Sequence, residues 1–152
     1  MKNSKIIMGV IILLIFMVSA FIFQSFYVIK ETRLMPADVH ISEKKIGFNL
    51  DKDALHFGIV PIGAVSSKRF VTITNKWNYG VDVLLSGKGD IKDWVNFETK
   101  MDNGTYNING FYLEPKEERN ISVYLIPSND AKVGEHYEGY VRFTLKRNKL
   151  FG

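Results

Sequence analysis

The chain contains no cysteine, which excludes disulfides, thiol nucleophiles and thiolate metal sites at once. This leaves the redox compartment open, because an exported domain with a sufficient core needs no disulfide. Histidine is scarce as well. His40, His56 and His136 are the three in the sequence, and none falls in an HExxH or His-x-His pattern that would set two imidazoles on one metal. His56 alternates with Leu55 and Phe57, so a solvent-facing strand position is expected for it. Asp51, Asp53, Asp90 and Asp93 sit near turns but lack the twelve-residue spacing of a calcium loop, and carboxylates at turns mostly cap local backbone N–H groups. Ser66 and Ser67 have no Gly-x-Ser-x-Gly context, and no glycine-rich loop opens a helix. The expectation is a protein without catalytic residues, metal, cofactor or small-molecule substrate.

A strong excess of charge is also missing. Twenty Lys and Arg stand against 16 Asp and Glu, and Lys2 and Lys5 precede a hydrophobic segment. The remainder is too balanced for a polyanion-binding surface, which concentrates basic residues on one face. Lys44, Lys45, Arg142, Lys146, Arg147 and Lys149 read as solvated surface, and no nucleic-acid partner is expected.

What the sequence does have is an uncharged apolar run, residues 6–29, in which Ser19, Gln24 and Ser25 are the clear polar interruptions. At about 1.5 Å per residue a helix of this length reaches about 36 Å, enough to cross a hydrocarbon core of about 30 Å. Tyr27 suits the interfacial aromatic position. Val18-Ser19-Ala20 offers small residues of the kind a signal peptidase accepts. Cleavage there would leave Phe21-Ile22-Phe23 and Phe26-Tyr27-Val28-Ile29 at an exposed N-terminus, so a retained anchor is the better solution in water. Lys2 and Lys5 orient the short N-terminal tail, residues 1–5, toward the cytoplasm, opposed by Lys30 and Arg33 on the other side. The sequons Asn103-Gly104-Thr105 and Asn120-Ile121-Ser122 fit an extracytoplasmic domain with N-glycosylation at Asn103 and Asn120.

Residues 30–38 are polar, contain Pro36 and read as a stalk. From residue 39 to 152, apolar runs separated by Gly, Pro, Asn and Asp recur at the spacing of a β-sandwich, without helical periodicity. Expected strands are Val39–Ile41 with Ile46–Leu50, Leu55–Phe57, Lys68–Thr74, Val81–Ser86, Val95–Glu98, Tyr106–Leu113, Asn120–Ile126 and Tyr137–Leu145. Phe70-Val71-Thr72-Ile73-Thr74 and Ile121-Ser122-Val123-Tyr124-Leu125 alternate most clearly. Gly87-Lys88-Gly89-Asp90 and Asp102-Asn103-Gly104 read as turns. Trp77 and Trp94 read as core or rim packing.

The run Leu55-His56-Phe57-Gly58-Ile59-Val60-Pro61-Ile62-Gly63, followed by Val71-Thr72-Ile73-Thr74-Asn75, resembles the opening of immunoglobulin-like domains of the ASPM/SPD-2/hydin and major-sperm-protein type. Leu113-Glu114-Pro115-Lys116-Glu117-Glu118 looks like the turn before their penultimate strand. Pro127 through Phe143, with Gly134-Glu135-His136-Tyr137-Glu138-Gly139-Tyr140-Val141, is similar to a closing segment common in prokaryotic and archaeal surface proteins. The resemblance spans about Leu55 to Lys146 and implies an all-β, immunoglobulin-like antiparallel sandwich used for binding, adhesion or spacing. It brings no catalytic residues.

These readings combine into a single-pass cell-membrane protein, with the bilayer contacted through residues 6–29 and other envelope proteins as partners. A subunit of a larger envelope assembly, such as a surface layer or a filament stator, is the structural alternative. A pilus-chaperone-like strand donor is the third.

Overall fold

The computed structural model describes residues 2–24, 28–43, 54–101 and 104–148. An N-terminal helix, α1 (Lys2–Phe23), precedes nine strands: β1 (Ile29–Ser42), β2 (Leu55–Pro61), β3 (Arg69–Thr74), β4 (Val81–Gly89), β5 (Val95–Met101), β6 (Gly104–Asn107), β7 (Gly110–Leu113), β8 (Glu118–Leu125) and β9 (His136–Arg147). They form a five-stranded sheet in the order β2-β1-β9-β4-β7 and a four-stranded sheet in the order β3-β8-β5-β6. The protein is an all-β sandwich with one N-terminal helix.

Within α1, residues 6–23 are long and apolar enough to cross a membrane, and none of that stretch is buried against the rest of the molecule. Ser19, its polar interruption, donates its hydroxyl to the Ile15 carbonyl at 2.8 Å, so the helix satisfies that group internally. Lys2 and Lys5 lie in its first turns.

The sandwich core is built by alternation. Ala37, Val39 and Ile41 of β1, Val81, Val83 and Leu85 of β4, and Val141, Phe143 and Leu145 of β9 point inward from one sheet. Val71 and Ile73 of β3, Phe97 of β5, and Ile121, Val123 and Leu125 of β8 meet them from the other. Trp94 lies buried at 5% exposure, edge-on to Tyr137 at a centroid distance of 4.8 Å, with its indole N–H donated to Ser128 at 2.6 Å. The turn after β2, where Gly63 takes φ 71°, carries the chain from the five-stranded to the four-stranded sheet. The Gly63 N–H is held by the Pro127 carbonyl at 2.8 Å.

Four expectations need correction. Residues 30–38 are not a stalk: they are the first part of β1, paired antiparallel with β9 from Ile29↔Lys146 to His40↔His136. The polar outward positions and Pro36 hid the strand. Pro36 is tolerated because β2 joins only from Ala37↔Leu55 onward, so the proline stands where β1 still has β9 as its ladder partner. The sheet therefore starts at Ile29. The β1–β2 pair is parallel while every other described pair is antiparallel; a parallel pair needs a connection of about a dozen residues, which 43–54 provides. Tyr106–Leu113 is two strands in different sheets. At the switch, the Ile108 N–H bonds the Phe97 carbonyl at 2.9 Å and the Asn109 carbonyl accepts from Leu85 N–H at 3.0 Å. Finally, Gly87-Lys88-Gly89 continues β4, and the turn begins at Asp90.

The glycines of that region allow a close approach. A Cβ on Gly139 would collide with the backbone carbonyl of Lys88 and come within 2.6 Å of the Ile91 side chain. Gly139→Ala should therefore cost about 1–3 kcal/mol, the usual penalty of overpacking; thermal unfolding of the full chain in detergent micelles checks this, and an unchanged midpoint would refute the close packing of β4 on β9. The Ile46–Leu50 strand expectation and the Asp102-Asn103 turn lie outside the described residues; the flanking pair Met101↔Gly104 is antiparallel, as a hairpin requires.

Candidate binding face

The outer surface of the five-stranded sheet is the most differentiated surface of the domain. Successive cross-strand rows can be read from the register: His40 with His136, Asp38 with His56 and Glu138, then Pro36, Tyr140 and Lys88, then Leu34, Arg142 and Ser86, then Thr32, Thr144, Leu84 and Gly110, and last Lys146, Asp82 and Tyr112. Leu34, Leu84, Tyr112 and Tyr140 are all at least 40% exposed. They form an apolar and aromatic diagonal across four strands, flanked by the cations Lys88, Arg142 and Lys146.

Each end of the diagonal opens into a groove. At the β7 edge, Gly110 leaves a space of about 440 Å³ lined by Asp82, Leu84, Tyr112 and Lys146. Glycine is required there because a Cβ would sit 2.7 Å from the Val83 carbonyl oxygen. Desolvation, followed by the Glu114 carboxylate, pushes the Tyr112 phenol above its ordinary pKa, so it stays a donor, directed at Glu114 Oε2 over 3.4 Å. The second groove, about 430 Å³, is lined by Asp38, His56, Asp90, Glu138 and Tyr140 together with Pro36.

His56 lines this second groove, and the strand register sets His40 and His136 beside it, although sequence spacing left the three scattered. His56 Nδ1 lies 2.7 Å from Asp38 Oδ1. His136 Nε2 is 3.7 Å from Asp38 Oδ2 and 3.4 Å from Glu138 Oε1, and the His40 and His136 rings are 6.4 Å apart. His56 does occupy an outward strand position, but half-buried against a carboxylate instead of free in water. The His56–Asp38 hydrogen bond ties β2 to β1, and His136 lies over the same carboxylate from β9. Among the described residues no group of His, Asp and Glu has the geometry to hold a metal ion.

The remaining expected residues play local roles. The hydroxyl of buried Ser66 accepts the Leu125 N–H at 2.8 Å and donates to the Ser67 carbonyl at 3.1 Å. Asp90 N–H bonds the Glu138 carbonyl at 3.1 Å, and Asp93 is exposed beside Lys92. Asn120 stands exposed on β8, in the outer face of the four-stranded sheet, with its amide oxygen accepting from Thr72 Oγ1 at 2.5 Å. Asn103, Asp51 and Asp53 lie outside the described residues.

The sheet edges offer less. Arg69 of β3 reaches across the open side of the sandwich and donates from Nε to the His56 carbonyl of β2 at 2.7 Å, tying the two edge strands together. The opposite edges, β6 and β7, are four residues each.

No family model matches the sequence, and no curated protein matches it. Two solved structures are similar to this chain. One is an antigen and type I fimbria protein of Burkholderia pseudomallei, at 16% identity and a TM-score of 0.41, with 76% of this chain and 96% of that chain covered. The other is the DaaE adhesin, at 11% identity and a TM-score of 0.39, covering 78% and 95% of the two chains. At such scores and identities, neither likeness transfers a residue, a ligand or a role to this chain.

Proposed function

We propose that this chain is a single-pass membrane protein whose extracytoplasmic sandwich binds another envelope protein through the outer face of its five-stranded sheet, without catalysis. The observation that carries the reading is the exposed diagonal Tyr140, Leu34, Leu84 and Tyr112, bracketed by two grooves. The outer face of the four-stranded sheet, by contrast, presents mainly Thr72, Thr74, Glu98, Asn120 and Ser122, with Phe70 as its large exposed apolar side chain. A few aromatic and aliphatic anchors amid polar residues are the usual composition of an energetically useful contact. The exposed apolar helix supports the anchor, because an aqueous environment gives it no cover.

The test is cross-linking in intact membranes with the full chain. Leu34→Lys together with Leu84→Lys should lower the yield of any cross-linked partner about tenfold, the effect of losing about 1.4 kcal/mol, whereas Thr72→Lys on the opposite sheet should not. Equal yields from both variants would refute the face. Membership in a larger envelope assembly is distinguished by co-purification with that assembly after mild detergent extraction. A strand-donating role would use a free edge, and the Arg69 link and the short β6 and β7 make the edges the weaker surface.

A further inference from the structure

One end of the sandwich is fixed by covalent geometry close to the place where α1 ends. Six peptide steps separate Phe23 from Ile29, and even a fully extended chain covers only about 20 Å over that distance. If α1 spans the bilayer, the end of the domain that starts β1 is held within reach of the headgroup layer, which adds about 5–8 Å to each side of the hydrocarbon core.

The register decides which residues share that end. Ile29 pairs with Lys146, Val81 with Arg147 and with Leu113, and Thr74 with Glu118. The β3–β4 loop, residues 75–80, the β7–β8 turn, residues 114–117, and the end of β9 therefore surround the entry of β1. His40, His56 and His136 lie toward the opposite end.

The β3–β4 loop carries Lys76, Trp77, Asn78 and Tyr79. Lys76 and Asn78 are exposed and Trp77 and Tyr79 are half-buried. The two rings stack at 6.2 Å with planes 18° apart, and the Arg147 guanidinium lies 4.5 Å over the Tyr79 ring. Lys116 donates to the Lys76 carbonyl at 2.6 Å, which places a second ammonium beside the tip. Tryptophan and tyrosine flanked by Lys and Arg are the side chains that settle at a membrane–water boundary, ring in the acyl margin and charge among the headgroups.

The acidic side chains of this end each have a local partner. Glu117 bonds Arg119 at 2.6 Å and the Glu114 N–H at 2.7 Å, Glu31 pairs with Arg33 at 3.1 Å, and Asp82, Glu114 and Glu118 accept from Asn148, Tyr112 and Thr74. We propose that the Lys76–Tyr79 loop, with Lys116 and Arg147, rests in the interfacial layer of the bilayer that holds α1, so that the domain stands on the membrane with its strands rising from it and its binding face turned sideways, instead of tumbling on a tether. This rests on the reading of α1 as an anchor.

The experiment exploits composition. The chain has two tryptophans, Trp94 buried at 5% exposure and Trp77 at the loop, and α1 has none. The full chain is reconstituted into phosphatidylcholine vesicles containing lipid brominated near the headgroup. The Trp77 part of the emission should be lost relative to unbrominated vesicles, and W77F, left with Trp94, should show no quenching. Because the chain lacks cysteine, Asn78→Cys with a nitroxide label gives a second readout independent of W77F folding: the label should be shielded from an aqueous nickel complex.

Quenching in neutral vesicles assigns the contact to the aromatic pair; quenching confined to vesicles with added phosphatidylglycerol assigns it to Lys76, Lys116 and Arg147; either supports the seat. Flotation separates the two readings. A chain that fails to float refutes the anchor and the seat with it. A chain that floats while Trp77 stays bright and the label stays accessible keeps the anchor and overturns the seat.

Discussion

Phe143→Ala should remove about 3–5 kcal/mol from the stability of the sandwich, a large share of the 5–15 kcal/mol that domains of this size possess. Phe143 is 2% exposed and sits on β9 with Arg33 of β1 on one side and Leu85 of β4 on the other. Val71 and Ile73 of the opposite sheet line the same internal space. Truncation opens a void between two sheets that are pinned by ladders on both flanks, so collapse around the vacancy is limited. Phe143→Leu keeps most of the volume and should cost less than about 1.5 kcal/mol. Urea unfolding of the full chain in detergent micelles, followed by the emission of buried Trp94, measures both. A loss below about 1 kcal/mol for the alanine variant would mean that the two sheets are not packed through this residue.

How far the fold was legible depends on which signal each segment carries. β3 and β8 are clean alternations of apolar and polar residues, and both strands lie within a residue or two of where Arg69–Thr74 and Glu118–Leu125 form. β1 was half hidden. Ala37, Val39 and Ile41 alternate visibly, but of the earlier inward positions only Met35 is apolar; Glu31 and Arg33 line the open margin between the sheets and need no apolar side chain there. The polar composition that suggested a stalk is the composition of a strand at the rim of the sandwich.

The switch of sheets between β6 and β7 was invisible because Tyr106-Asn107-Ile108-Asn109-Gly110-Phe111 keeps its alternation through the crossing, while the hydrogen bonds of Ile108 and Asn109 go to different sheets. The proposed binding face was not legible at all. Its members come from β1, β2, β4, β7 and β9, and Asp38, His56 and His136 meet only because a parallel strand pair sets β2 beside β1. Nothing in their spacing along the chain announces that. The Thr74-Asn75 ending of β3, noted through a resemblance, carries a structural meaning that the resemblance did not supply.

That meaning gives the second large effect. Asn75 is fully buried at 0% exposure and closes the end of the sandwich. Its amide nitrogen donates to the Tyr79 and Glu114 carbonyls, each at 2.8 Å, its amide oxygen accepts the Trp77 N–H at 3.0 Å, and its own N–H bonds the Glu117 carbonyl at 2.8 Å. One buried side chain thus joins the β3–β4 loop to the β7–β8 turn. Asn75→Ala leaves those groups without a partner and should cost about 2–4 kcal/mol, at roughly 1–3 kcal/mol for each unsatisfied buried group. Asn75→Asp should be worse than alanine. The carboxylate still accepts from Trp77, but it turns an oxygen toward the two carbonyls in place of the donor and brings a charge into a buried site. The order wild type, then alanine, then aspartate in urea midpoint is the expected result, with the aspartate variant recovering toward alanine as pH falls and the carboxyl takes up a proton. Aspartate more stable than alanine at neutral pH would show that Asn75 acts here as an acceptor and that its donated bonds contribute little.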